Sequence, residues 1–191
     1  MRCTVFLGAS IDGFIARADG SLDWLPGGEG TDCDGAAGAS ALDDDGGYGA
    51  LLSEVDALLM GRSTYDAVLG LGVPWPYEMP VVVLTTRPLA VPNGVDVRTD
   101  QGPITEVLAR LVADGLSQLY IDGGDVVQQA LASDVIDRLI ITTVPVLLGK
   151  GIGWAGPVDQ DRRFVVTDTR RILEVMTQTT WTRDRAGHLD A

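Results

Sequence analysis

Histidine and lysine are almost missing from these 191 residues: one histidine, His188, near the C-terminal end, and one lysine, Lys150, beside thirteen arginines. A lone histidine in the tail excludes a histidine-based metal site and any Ser-His or Cys-His nucleophile pair in the body of the chain. Cysteine is scarce as well. Cys3 and Cys33 are the only two, and Cys3 falls in an expected buried strand, which argues against a disulfide framework. No apolar run approaches the roughly 20 residues of a membrane span. No basic-then-apolar leader opens the chain, so the expectation is a cytoplasmic protein. Positive charge is in deficit: 14 basic against 27 acidic residues give a formal charge of −13. Such a surface draws neither nucleic acid nor an anionic membrane. Any phosphate-bearing ligand must then be held by a local cluster of cations against the overall field.

What is present is ordinary for a globular protein, with 46% hydrophobic and 21% charged residues. The length fits one domain, expected over 1–184 with a loose tail at 185–191. The first strand is expected at 3–9, followed by an Asp12-Gly13 turn and a short apolar return, Phe14-Ile15-Ala16. A long Gly- and Asp-rich connection then runs to Gly47, and Trp24 within it must cover either core or ligand. A helix from Tyr48 precedes a buried strand at 56–60, a helix from 62, a strand at 80–84, a short strand at 95–97 and a helix at 104–114. The inner face of that last helix is expected to be Val107, Leu108, Leu111 and Val112. This alternation predicts a largely parallel, twisted sheet with right-handed crossovers. The last third changes character: 135–148 is β-prone, and 164–169 and 173–183 alternate like antiparallel edge strands.

Three places invite an anion. Around Gly123-Gly124 a short strand at 119–121 runs without a gap into a helix whose apolar face is Val126, Val127, Ala130 and Leu131. Glycines there admit either a plain tight turn or a phosphate at the helix N-terminus. At Gly61-Arg62-Ser63-Thr64 a strand again meets a helix. An arginine in a helix's first turn opposes the dipole, so an anion between Arg62 and the helix would explain it; pairing with Asp66 on the surface would too. At Thr85-Thr86-Arg87 a third strand delivers hydroxyls and a guanidinium.

The order of these pieces resembles the dihydrofolate reductase superfamily, and within it the standalone proteins similar to the C-terminal reductase domain of the bifunctional riboflavin-pathway deaminase-reductase. The matching segments are 9–16, 19–26, 59–65, 84–87, Gly123-Gly124 and 144–151. The resemblance implies a three-layer αβα fold, mostly parallel with antiparallel C-terminal edge strands, and an NADPH-dependent reductase. It assigns the cofactor's phosphates to Gly61, Arg62, Ser63, Thr64, Thr85, Thr86, Arg87, Gly123 and Gly124, with backbone N–H groups of Asp125, Val126 and Val127. Gly8, Ala9, Ile15 and Ala16 would line the nicotinamide. A folate reductase carries a carboxylate after its first long loop. Here Asp43-Asp44-Asp45 and Tyr48 stand nearby, and a solvated acidic loop is the other reading. Trp24, Asp45, Tyr48, Thr142 and Leu148 are the expected substrate-pocket residues, and no metal is expected. The zinc deaminase signature of the bifunctional enzyme is absent, and the lysine that commonly follows its Ser-Leu-Asp-Gly is Phe14, for which Lys150 could substitute. The small-molecule substrate implied is a ribosylated aminouracil phosphate. A pterin, or a non-catalytic descendant that keeps the cleft, are the alternatives. The same resemblance implies a homodimer through the C-terminal strands.

Overall fold

The structure is a computed structural model that describes residues 1–26 and 45–187. Its elements in chain order are β1 (Arg2–Ser10), β2 (Phe14–Ala16), α1 (Tyr48–Glu54), β3 (Ala57–Gly61), α2 (Arg62–Gly70), β4 (Val81–Leu84), β5 (Val97–Asp100) and α3 (Ile104–Ala113). Then come β6 (Gln118–Asp122), α4 (Gly124–Ala132), β7 (Arg138–Val144), β8 (Ile152–Gly153), β9 (Phe164–Ile172) and β10 (Met176–Arg183). Eight strands form one sheet in the order β5-β4-β3-β6-β1-β7-β10-β9, and β2 pairs with β8 apart from it. The first six of those eight run parallel, while β10 is antiparallel to both β7 and β9.

The middle strands read as unbroken apolar runs because both of their faces are covered. Leu58 and Met60 on β3 pack with Leu51 of α1 and Tyr65 of α2. Ala57 and Leu59, one residue out of phase, pack with Val107 and Leu111 of α3 and Val126 and Ala130 of α4. Period-two alternation within a single strand therefore feeds two separate cores, and the result is three layers, as expected. Among the described residues no helix is long and apolar enough to cross a membrane.

Four local expectations shift. The face that α3 buries is Ile104, Val107, Leu108 and Leu111, whereas Val112 is 49% exposed; the helical repeat places Ile104, not Val112, above Leu108 and Leu111. Strand β5 begins at Val97 rather than at 95, since its ladder to β4 opens with the Val81 and Val97 pair. Residues 145–148 are not a strand: Pro145 has no N–H to give a neighbour, and Val146 N donates back to Val144 O at 2.7 Å. Leu173 and Glu174 have φ of 50° and 60°, so they turn the chain between β9 and β10 instead of opening the latter.

Candidate functional site

Two helices start side by side at the carboxyl edge of the sheet. Neighbouring strands β3 and β6 run straight into α2 and α4, so both helices begin at the same sheet edge, one on each face. Their junction is tight. A Cβ on Gly123 would lie 2.1 Å from Thr64 Oγ1, and Gly123 has φ of 88°. One on Gly124 would come within 2.9 Å of Ile152 Cγ2 and 3.2 Å of the Gly153 carbonyl oxygen. Protein contacts thus account for both glycines without a ligand, and they bring the two N-termini together. Neither helix has a side-chain cap. The first-turn N–H groups of Arg62, Ser63 and Thr64, and of Gly124, Asp125 and Val126, have no partner one turn back, and both dipoles place positive potential there. One assignment is corrected: Val127 N already donates to Gly123 O at 2.9 Å, so it has no N–H to offer. The Val126 and Val127 side chains are buried in the core.

The cations differ in their freedom. Arg62 gives Nε to both oxygens of Asp66 at 2.8 Å and Nη1 to the Pro88 carbonyl at 2.9 Å. It therefore ties the start of α2 to the turn after β4, and the pairing with Asp66 raised from sequence is present. In that turn Thr85 Oγ1 accepts from Arg87 N at 3.1 Å, which leaves Thr86 and Arg87 exposed. Arg87 makes no ion pair among the described residues. Ser63 and Asp125 are exposed as well, and Lys150 projects from its turn.

On the other side of Gly124, β2 brings Ile15 to 3.4 Å of that position's would-be Cβ. Ala9 and Ala16 are buried, and Gly8 is half-buried with Leu25 Cδ2 3.4 Å from where its Cβ would stand. Asp12 fastens this region: it accepts from Ser10 Oγ at 2.6 Å, Leu148 N at 3.2 Å and Gly149 N at 2.7 Å. These bonds, the Ser10 hydroxyl first, hold its carboxyl below the usual range.

The substrate-side residues are divided by the structure. Asp43 and Asp44 lie outside the described residues. Asp45 accepts from Gly47 N and Gly49 N, each at 2.7 Å, and those two bonds, Gly49 first, lower its pKa. Its carboxylate is occupied by the start of α1. Trp24 is buried with Val144, Ile172 and Met176, and Leu148 packs against them; the Trp24 indole N–H has no acceptor among the described residues. Thr142 is half-buried on β7 and receives a hydrogen bond from Gln178. Tyr48 sits over the sheet, its ring 5.3 Å from Phe6 and 6.1 Å from Tyr120.

Around Tyr48 the structure assembles a cluster that sequence reasoning missed. The hydroxyls of Tyr48, Tyr77 and Tyr120 approach one another and the Asp122 carboxyl. Tyr120 donates to the Phe6 carbonyl at 3.0 Å, and Gly123 N donates to Asp122 Oδ1 at 2.7 Å. Burial raises the Tyr48 phenol to about 12 and pushes those of Tyr77 and Tyr120 up as well. It raises Asp122 to about 6, against the opposing pull of the Gly123 N–H and the Tyr120 hydroxyl. Three neutral phenols thus surround one carboxyl that changes charge near neutrality. The available signal was the alternation of β6, which puts Tyr120 and Asp122 on one face.

The RibD C-terminal domain profile matches residues 2–178. YwjB of Bacillus subtilis, a protein of uncharacterised function, is 33% identical over 153 residues, which make up 79% of this chain and 80% of that one. A crystal structure from Shewanella sp. PV-4, provisionally assigned to riboflavin biosynthesis, is 37% identical with a TM-score of 0.81, covering 97% of this chain and 100% of that one. Dihydrofolate reductase from Enterococcus faecalis, solved with NADP(H), shares the fold at 19% identity and a TM-score of 0.56, with 96% of each chain covered.

Proposed function

The chain belongs to the RibD C-terminal domain family, and from that membership we propose an NADPH-dependent reductase of a small heterocycle, with a ribosylated aminouracil phosphate as the substrate class. The observation that carries it is the contact of Thr64 with Gly123, which joins two uncapped helix N-termini at one sheet edge. This arrangement fits a dinucleotide. The first turns of α2 and α4 present N–H groups to a pyrophosphate, and the exposed Thr86 and Arg87 beside them suit the additional 2′-phosphate. Asp125 adds a carboxylate to the first turn of α4, so the backbone rather than side-chain charge must do the holding there.

When bound, NADPH supplies a hydride. Reduction by hydride also consumes a proton, and Asp122 is the group in this pocket that carries one near neutral pH. The Tyr48, Tyr77 and Tyr120 phenols keep their protons throughout that range; Tyr120 gives its own to the Phe6 carbonyl, so Tyr48 and Tyr77 are the donors left to orient the ring. Phe6 and Tyr48 supply apolar walls that exclude water.

A non-catalytic descendant of the fold has one observation in its favour: Arg62 already has protein partners on two of its three nitrogens. Calorimetry with NADPH and NADP separates the readings. The reductase binds at micromolar concentration, and Arg87→Ala weakens binding by about 10- to 100-fold, as loss of a charge-assisted phosphate contact does. Absence of binding at millimolar cofactor would overturn the enzyme reading. We also propose a homodimer through the open edge of β9, where Val165 and Val166 are 39% and 59% exposed; light scattering at the monomer mass would remove it.

A further inference from the structure

A polar row crosses the sheet on the face covered by α1. Gly8 on β1 pairs with Thr142 on β7, Thr142 with Gln178 on β10, and Gln178 with Arg170 on β9. Directly paired residues share a face, so four neighbouring strands each contribute one position to the row. Gln178 is only 3% exposed, and a buried amide needs partners at both ends. Its Oε1 accepts from Arg170 Nε at 2.9 Å, and its Nε2 donates to Thr142 Oγ1 at 3.0 Å. Gly46 closes over that nitrogen: a Cβ there would lie 2.9 Å from Nε2 and 3.6 Å from Phe6 Cζ.

Donor chemistry then fixes every direction along the row. A guanidinium can only donate, so the amide oxygen must face Arg170 and the amide nitrogen must face Thr142. The Thr142 oxygen is thereby an acceptor, and its own hydrogen is left over. No group among the described residues takes that hydrogen. The next position in the row, Gly8, has no side chain, and among the described residues a Cβ there would meet only Leu25 Cδ2 at 3.4 Å and the Thr142 carbonyl at 4.0 Å.

We propose that Gln178, locked by Arg170, is a positioning residue that makes Thr142 a one-way hydrogen-bond donor to an acceptor atom of a heterocycle lying over Gly8. The acceptor is a ring carbonyl oxygen or an unprotonated ring nitrogen. A ring that presents N–H at this place would meet hydrogen with hydrogen and be rejected. The inference deepens the reductase reading and rests on it.

The test is calorimetric binding of 5,6-diaminouracil, which offers ring carbonyls, to the full chain saturated with NADP. Thr142→Val deletes the donor and keeps the shape. Gln178→Glu keeps the shape but replaces the amide donor with an acceptor that captures the Thr142 hydrogen. Each is expected to weaken binding roughly three- to tenfold, the worth of one hydrogen bond. Because Gln178 acts through Thr142, the double variant loses no more than the weaker single, whereas independent structural roles would multiply. Arg170→Lys, which retains a donor, keeps more affinity than Arg170→Met, and melting temperatures confirm that all variants are folded. Wild-type affinity in Gln178→Glu, or losses that multiply, overturns the positioning role. Wild-type protein that binds NADP but not the pyrimidine overturns this inference and its substrate class while the cofactor reading stands; protein that binds neither takes the reductase reading with it.

Discussion

At Asp122 two effects compete and burial wins. The Gly123 N–H and the Tyr120 hydroxyl favour the ionised form, yet loss of water around the carboxyl raises it to about 6. A proton donor of that kind is mostly loaded below its pKa and empties as pH rises through it. Turnover per bound substrate is therefore expected to be high at about pH 5 and to fall about tenfold per unit above about pH 6. Asp122→Asn removes the slope and lowers the rate by about 100-fold or more. Stability moves with the same sign. The folded value lies above the unfolded value of 3.8, so the native state holds the proton more tightly and loses stability as pH climbs from 3.8 to about 6. The asparagine variant escapes that loss, and its melting temperature relative to wild type is expected to increase across this window. A pH-rate profile unchanged by the substitution would rule Asp122 out as the donor. Asp45, the carboxylate that stands out in the sequence, has the opposite environment: two backbone N–H groups hold it ionised. Sequence could place a carboxylate near the pocket, but telling the two apart required their hydrogen-bond partners and burial, which depend on residues far away in the chain.

The meeting of α2 and α4 is the feature at the scale of elements that positions everything else. Gly123 has φ of 88° and ψ of 140°, a region that side chains rarely enter at a cost of about 1–3 kcal/mol. Its missing Cβ is also the space that the Thr64 hydroxyl fills. Gly123→Ala is therefore expected to destabilise by more than the backbone term alone, about 2–4 kcal/mol in denaturant unfolding, and to abolish cofactor binding. Adding Thr64→Ala removes the clash but not the dihedral strain, so it recovers only part of the stability. Full recovery would mean that the backbone there is relaxed and that the clash alone excludes a side chain. Strand-to-helix passages such as this one were legible from sequence because an apolar run, a glycine and a helical repeat follow one another locally. So were the buried faces of α3 and α4, apart from Val112, which lies at the rim, and Ile104, which takes its place in the α3 face. The misplaced boundaries, at β5, at 145–148 and at 173–174, all fall near sheet edges or turns. There a ladder partner, a γ-turn or a positive φ decides the boundary, and hydrophobic periodicity carries none of that information. The Thr142, Gln178 and Arg170 row was hidden for the same reason, since register between β7, β10 and β9 is set by a hairpin and a crossover.

Across the whole molecule, the formal charge of −13 opposes any anionic ligand, while the helix dipoles of α2 and α4 and the proposed phosphate contact at Arg87 favour one locally. The two fields differ in range, and that difference can be measured. Repulsion by the molecule as a whole is felt over a Debye length of about 30 Å at about 0.01 M salt, but only about 8 Å at about 0.15 M. Attraction by Arg87 and the first-turn N–H groups operates at contact distance, where salt screens it much less. Raising ionic strength therefore removes the repulsion first. Stopped-flow association of NADPH is expected to accelerate as salt rises from about 0.01 to about 0.15 M, the reverse of the usual behaviour at basic sites. In Arg87→Ala the acceleration persists, because the distant carboxylates that cause it remain, while the dissociation rate increases. An association rate that falls steadily over this range would mean that the positive edge dominates even at long distance. The acidic surface would then play no part in cofactor capture.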